Sequence, residues 1–174
     1  MSVQPSELID PARRACEEEI FRLLTWSARR WRNRVNEALA DVGQTDARHA
    51  TLQVLRQASG GLIQFDLARR LNVSGATLVG ILDALERQGL IARGALMGDR
   101  RANLIRLEDK GAALLDDLDR RVQDVRADLL SGQPLARLQA TAEVLRDISG
   151  GLRPVERERR RPATGPGKRT GGGL

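Results

Sequence analysis

The chain has 174 residues and a net charge of +6, which suits one domain or one compact domain with a tail. Hydrophobic residues make up 41% of it, but aromatic residues only 2% and tyrosine is absent, so packed helices are favoured over a β-sandwich or β-barrel. It contains no run of 18 apolar residues and no secretion-type N-terminus, so we expect a cytoplasmic protein that does not span a membrane.

The first predicted element is a long helix from about Pro11 to Asp41, ended by Gly43. Its apolar residues recur every three or four positions and include Ile20, Leu24 and Trp31. The long outer helices carry more apolar surface than one subunit of this size could readily cover, so residues 1–45 are predicted to be an N-terminal dimerisation segment.

The middle of the chain, residues 46–107, alternates short helices with turns. Thr45 is predicted to cap a helix that closes at residues 59–61, and Gln64–Leu71 is predicted to be the next helix. Ser74 is predicted to cap a helix that runs to Gln88 and stops at Gly89. Two strands, Leu90–Leu96 and Ala102–Leu107, are predicted to follow as a hairpin with Gly98-Asp99-Arg100-Arg101 at its tip.

The last helices are predicted within residues 108–150. From Glu108 to Leu130 the apolar positions step 3-4-3-4, a seam typical of helix–helix packing, through Leu115, Leu118, Val122, Val125 and Leu129. A final amphipathic helix is predicted over Leu135, Leu138, Ala142, Leu145 and Ile148. We expect both helices to serve dimerisation.

The tail, residues 151–174, is predicted to be disordered because it has little to bury. It holds seven basic and two acidic residues, whereas the other 150 residues are nearly neutral. Two hypotheses stay open for it: general attraction to phosphate groups, or a solvated extension without a specific task.

Taken together, the elements predict a mainly α fold. It is a winged helix-turn-helix with a two-stranded β-hairpin wing, flanked by long N- and C-terminal dimerisation helices.

The central segment resembles the MarR family of bacterial transcription regulators, especially its SlyA-like members, over roughly Glu19 to Ser149. The matching residues are Leu67-Ala68, Leu71, Ser74, Leu82-Asp83-Ala84-Leu85-Glu86, Gly89-Leu90-Ile91-Ala92-Arg93, Asp99-Arg100-Arg101, Leu107 and Gly111. The resemblance implies a homodimer in which the first helix and the last two helices interleave. It also implies repression of nearby genes that a small ligand or an oxidant relieves.

The predicted DNA-binding residues lie on the helix after Ser74 and at the wing, and they are Ser74, Gly75, Ala76, Thr77, Val79, Gly80, Arg87, Asp99, Arg100 and Arg101. The helix offers no long polar side chain in its first turns, so methyl contacts and DNA shape are expected to give specificity. SlyA-like proteins tend to carry an arginine where this chain has Gly80. Either Gly80 lets the backbone approach DNA closely, or it is a tolerated glycine.

At the wing, Asp99 is spaced to hold the Arg101 guanidinium for insertion into an A·T-rich minor groove. The alternative is a solvated turn whose charges only improve solubility.

An effector site is predicted between the dimerisation and DNA-binding regions. Trp26, Arg30, Trp31 and His49 offer a cation and flat surfaces suited to an aromatic carboxylate or a related thioester. Ordinary core packing of the histidine and tryptophans is the alternative. Cys16 could indicate an oxidation sensor, but three glutamates follow it and the chain has no tyrosine partner, so we expect an inert thiol.

One histidine and one cysteine predict no metal site and no cofactor, and no nucleophile–base pair indicates an enzyme. The expected function is a ligand-responsive repressor that binds double-stranded operator DNA as a homodimer. The alternative is a winged-helix module for protein–protein assembly, which would have no need of the charged wing.

Overall fold

The computed structural model describes residues 10–96 and 99–152, without the side chains of residues 96–102. The chain divides into two compact units, one ending at Ser131 and the other beginning at Gly132. Among the described residues, every helix is too short or too polar to cross a membrane. The predicted tail lies outside the described residues from position 153 onward.

Helices dominate the first unit. In chain order its elements are α1 (Pro11–Leu39), α2 (Asp46–Gln57), β1 (Leu62–Ile63), α3 (Gln64–Leu71), α4 (Gly75–Arg87), β2 (Ile91–Leu96), β3 (Asp99–Leu107) and α5 (Asp109–Leu130). A single 3-10 turn, Ala40–Val42, follows α1. The second unit contains α6 (Leu135–Gly151). The predicted mainly α, winged helix-turn-helix fold is confirmed.

Two details of the sheet were predicted wrongly. The sheet has three antiparallel strands rather than two, in the order β1-β3-β2, because Leu62 and Ile63 pair with Ile105 and Leu104. A two-residue strand is too short to show alternation, so its sequence gives no strand signal. In addition, β3 begins at Asp99, three residues before the predicted Ala102, and the β2–β3 register is irregular between Ala95 and Leu96.

Side chains cap the N-termini of α1 and α2, and the sequence predicted the Thr45 cap of α2 but not the Asp10 cap of α1. Asp10 caps α1 by accepting a hydrogen bond from the Ala12 N–H at 3.0 Å. Thr45 caps α2 by accepting from the Arg48 N–H at 3.3 Å, after Gly43 has turned the chain with φ +66°. Each cap satisfies an N–H group that the first helical turn leaves without a partner.

The core of the first unit is built from leucine, isoleucine and valine. Fourteen buried residues form it: Val35, Leu39, Leu52, Leu55, Leu67, Leu78, Leu82, Leu85, Leu90, Ile91, Ile105, Leu115, Leu118 and Val122. They come from α1 to α5, from β2 and β3, and from Leu90 in the turn between α4 and β2, so one continuous core holds these elements together.

Helix α5 begins in direct backbone contact with the segment that follows α4. The Glu108 N–H donates to the Leu90 carbonyl at 3.1 Å, and Lys110 Nζ donates to the Gln88 carbonyl at 2.9 Å. Gly111 is buried there, and a Cβ on it would clash with the Leu90 carbonyl oxygen. The first turn of α5 is therefore seated on the end of α4.

The residues predicted for dimerisation fall into two groups. Leu118, Val122 and Val125 are buried by their own chain, so their burial needs no partner. The regular seam predicted helix packing but could not tell a neighbour in the same chain from one in another chain. The others keep accessible surface, Ile20, Leu24 and Leu138 being half-buried and Leu129 and Leu145 exposed.

Candidate nucleic-acid interface

A tight turn joins α3 to α4. Asn72 ends α3 in the left-handed conformation with φ 52°, which asparagine tolerates better than most residues. Ser74 then caps α4, because its Oγ accepts from the Thr77 N–H at 3.1 Å and lies 2.8 Å from Thr77 Oγ1. Two hydroxyls and the N–H groups of the first turn thus stand together at the exposed start of α4, an arrangement that favours phosphate oxygens.

Helix α4 has one buried face and one exposed face. The predicted inward residues Leu78, Leu82 and Leu85 are fully buried and Ile81 is half-buried. The opposite face exposes the predicted DNA-binding residues of the first two turns, which are Ser74, Gly75, Ala76, Thr77, Val79 and Gly80. Val79 is 40% exposed, and a Cβ placed on Gly80 would meet no atom within 4 Å. The exposed face is small and largely apolar.

The charged groups of α4 lie toward its C-terminal end. Arg87 Nε donates to the helix's own Asp83 carbonyl at 3.2 Å. Arg93 of β2 reaches back to α4, with Nη2 2.5 Å from the Asp83 carboxylate and Nε 3.3 Å from that of Glu86. Arg93 therefore neutralises two carboxylates on α4 and ties β2 to that helix. Asp83 and Arg93 belong to two separate motifs of the sequence, and their ion pair was not predicted.

The wing strands β2 and β3 pair from Ile91↔Leu107 to Leu96↔Asp99. The predicted pairing of Asp99 with Arg101 and the predicted role of Arg100 concern side chains outside the described part of the structure. At the other end of the hairpin, Arg106 is exposed and pairs through its backbone with Ala92.

Helix α3 carries a cationic surface that sequence reasoning missed. Phe65 is 61% exposed, and the Arg69 guanidinium lies 5.9 Å from its ring centroid. Arg69 Nη1 is also 3.7 Å from the Asp66 carboxylate, and Arg70 is exposed beside it. The i, i+4 spacing of an aromatic residue and an arginine on one helix is the sequence signal that could have indicated this pair.

The four predicted effector residues do not share one environment. Trp26 is 59% exposed, and the Arg30 guanidinium lies 5.3 Å from its ring centroid. Trp31 is half-buried and packs against the core. His49 is buried, with Nε2 2.7 Å from Asp119 Oδ1 on α5. Among the described residues, no hydrogen bond joins His49 to the other three.

Asp119 is the centre of a polar cluster between α2 and α5. Besides His49, it accepts a hydrogen bond from Gln53 Nε2 at 2.7 Å and forms an ion pair with Arg56. Arg56 also pairs with Asp116 at 2.8 Å. Burial by itself would raise the pKa of Asp119, but the hydrogen bonds from His49, Gln53 and Arg56 outweigh it and lower that pKa. Asp119 is therefore held ionised between the two helices.

A second ion pair joins α5 to the end of α1. Arg121 Nη1 lies 2.8 Å from the Asp41 carboxylate, and its Nε lies 2.8 Å from Asp117. The hydrogen bond from Arg121 is the main reason that the pKa of Asp41 is lowered. These are surface pairs, so we expect them to orient the helices more than to stabilise them.

Cys16 is exposed on α1. Among the described residues, no three His, Cys, Asp or Glu side chains come close enough together to hold a metal ion.

Comparisons with known proteins give one consistent result. The sequence profile of the MarR family matches residues 45–102. The transcriptional regulator PA3341 is 34% identical with a TM-score of 0.68, over 76% of this chain and 97% of that one. A MarR-family transcriptional regulator from Rhodococcus sp. RHA1 is 26% identical with a TM-score of 0.70, over 76% and 94%. CouR from Rhodococcus jostii RHA1, bound to p-coumaroyl-CoA, is 26% identical with a TM-score of 0.68, over 76% and 93%.

Proposed function

Because the chain belongs to the MarR family of transcription regulators, we propose that it is a repressor that binds a pseudo-palindromic operator as a homodimer. The observation that carries this proposal is α4, whose inward leucines are buried while its capped N-terminal half is exposed and lined by small side chains. Such a helix fits the major groove closely. A protein that regulates genes must share a compartment with them, so we place it in the cytoplasm.

Each subunit contacts DNA at three places in this proposal. Ser74 and Thr77 bind a phosphate at the start of α4, where the helix dipole and free N–H groups favour anions. Ala76 and Val79 touch thymine methyl groups. Arg101 enters the minor groove from the wing, in the manner of an arginine in a narrow A·T-rich tract. We also propose that the chain is a SlyA-like member of the family, with Gly80 as its departure from that branch.

The proposed dimer is supported by apolar surface that the single chain leaves uncovered. Large hydrophobic side chains are exposed on α1, at the end of α5 and on α6, namely Phe21, Leu23, Trp26, Leu129, Leu130, Leu135, Val144 and Leu145. A two-fold partner would cover such surface and set two recognition helices one helical turn of DNA apart. Two half-sites of about 34 Å spacing then explain a pseudo-palindromic operator.

The effector proposed is a small aromatic acid or its thioester. CouR was crystallised with p-coumaroyl-CoA, which is such a thioester. In this chain Arg30 already lies over the ring of Trp26, a pair that offers a cation and a flat surface to an aromatic carboxylate. Trp31 packs against the core and the buried His49 bonds to Asp119, so the structural support for this effector site comes from Trp26 and Arg30.

The test is binding to DNA from immediately upstream of the gene and to a scrambled duplex, across a salt series. We expect strong preference for the upstream DNA and a steep salt dependence. Arg101→Ala should weaken operator binding by more than about tenfold, because a minor-groove arginine is lost from both half-sites. Arg13→Ala, on α1 and paired with Glu17, is the matched control and should bind normally.

Each other result has a defined meaning. Equal affinity for both duplexes would contradict site-specific regulation. Unchanged affinity of Arg101→Ala would remove the wing from the DNA contacts. A protein that binds neither duplex would favour the assembly module, which the lack of long polar side chains in the first two turns of α4 also suits.

A further inference from the structure

An open cavity of about 230 Å³ lies beside the end of α2, and none of the residues assigned above to DNA or effector lines it. It is lined by the end of α2, by the turn before β1 and by the end of β3, through Leu55, Arg56, Ala58, Ser59, Gly60, Gly61, Arg106 and Leu107. Its two charged lining residues are both arginines.

Arg106 is held beside this cavity because the backbone at Gly61 lies close to the backbone at Ile105. Gly61 has φ +88°, and a Cβ on it would lie 2.9 Å from Arg106 Cγ and 2.5 Å from the Ile105 carbonyl oxygen. Only a glycine leaves room there for the arginine stem to cross the turn. Pairing of Leu62 with Ile105 fixes the two strands at this position. Among the described residues, no carboxylate pairs with Arg106.

Arg56 keeps donors available although it is already paired. Its Nη1 and Nη2 each donate one hydrogen bond, to Asp116 and Asp119. A guanidinium has five N–H donors, so three remain for a ligand. The backbone N–H groups of Ser59 and Gly60, in the same lining, make no hydrogen bond to any other described group.

We propose that this cavity binds a small oxyanion, the phosphate or carboxylate group of a soluble metabolite. The Arg106 guanidinium can offer paired N–H donors to such a group, and Arg56 can add the N–H groups that its two carboxylate partners leave free. Leu55 and Leu107 supply an apolar wall for a short carbon chain. The anion is linked to α5 indirectly, because Arg56 also forms ion pairs with Asp116 and Asp119 on that helix. A bound anion would therefore affect the contact between α2 and α5. The proposed site is independent of the proposed operator.

The position of Arg106 in the hairpin argues for a soluble anion over a DNA phosphate. Arg106 pairs with Ala92, near the end of the hairpin where β2 starts, whereas the wing tip lies beyond Leu96 and Asp99. DNA in the proposed complex meets the tip and the start of α4.

The experiment uses the full chain with inorganic phosphate as the probe. Phosphate is titrated against potassium chloride at matched ionic strength, and the amide signals of Ser59, Gly60 and Gly61 are followed by ¹H–¹⁵N NMR. We expect saturable shifts with phosphate only. Arg106→Gln should weaken phosphate binding by at least about tenfold, because a charge-assisted bidentate contact is lost. Arg126→Gln, an exposed arginine on α5, is the control and should leave it unchanged.

Three results would overturn the proposal. Equal shifts with chloride would show ionic-strength effects alone. Full affinity in Arg106→Gln would show that the anion binds elsewhere, and a thermal melt confirms that this variant is folded. Operator DNA that shifts the same three amides and competes with phosphate would assign the site to a DNA phosphate.

Discussion

Replacing Gly80 by alanine separates two explanations for a glycine in the middle of α4, the proposed recognition helix. The structure leaves open space where the alanine Cβ would be, and α4 continues through this position. Alanine in a helix interior is favoured over glycine by about 1 kcal/mol, so each subunit should become more stable by about that amount. In a chain of this length, 1 kcal/mol raises the melting temperature by about 2–4 °C.

Operator affinity should move in the opposite direction. If the α4 backbone approaches DNA at Gly80, the added methyl group meets the duplex in both half-sites. A cost of about 1 kcal/mol per subunit, or 2 kcal/mol per dimer, weakens binding roughly thirtyfold. Thermal unfolding at one fixed protein concentration and operator titration at one fixed salt concentration give the two quantities.

The control is Gly150→Ala on α6, where a Cβ also has open space. It should leave operator affinity unchanged. Unchanged affinity in Gly80→Ala would mean that the glycine is only tolerated, and that DNA does not approach the backbone there. A melting temperature that fails to rise would refute the argument from helix propensity.

Three further predictions follow from contacts within the first unit. Gly111→Ala should lower the free energy of unfolding by about 1–3 kcal/mol in urea titrations, because its Cβ clashes with the Leu90 carbonyl; a more stable variant would contradict this. The lowered pKa of Asp119 means that its ionised form stabilises the fold above the unfolded-state pKa, and that this contribution is lost as pH falls through the lower folded-state pKa. Asp119→Asn should therefore reduce the loss of stability between about pH 5 and pH 2, and equal acid sensitivity of the two proteins would refute this. Arg93→Met leaves the Asp83 carboxylate on α4 without its partner, and an unpaired negative charge on the proposed DNA-binding helix should weaken operator binding while the circular dichroism spectrum is unchanged. Normal affinity would show that this ion pair does not affect DNA binding.

Local signals made the helices predictable from the sequence. Ser74 and Thr45 cap helices where their residue types predicted caps, because a cap depends only on the next three residues. The inward leucines of α4 are likewise a local pattern with one period.

Contacts between distant parts of the chain were not predictable in this way. His49 and Asp119 are 70 positions apart, and each lies among other charged or polar residues that could equally have been partners. The pairing of Arg93 with Asp83 depends on where β2 returns past α4, which no local pattern encodes. Leu118 and Val122 show the same limit, because a heptad seam does not say which helix covers it.

The seating of α5 on the segment after α4 gives the molecule a mechanical property. A helix of 22 residues is about 33 Å long, so a tilt of about 10° at its first turn moves its far end by about 6 Å. We expect such a tilt to pivot at Gly111, because its backbone packs directly against the Leu90 carbonyl with no side chain between them. In the proposed dimer, the angle of α5 would thus depend on the number of base pairs between the operator half-sites. Operator affinity measured as single base pairs are inserted between the half-sites would show how large a tilt the dimer tolerates.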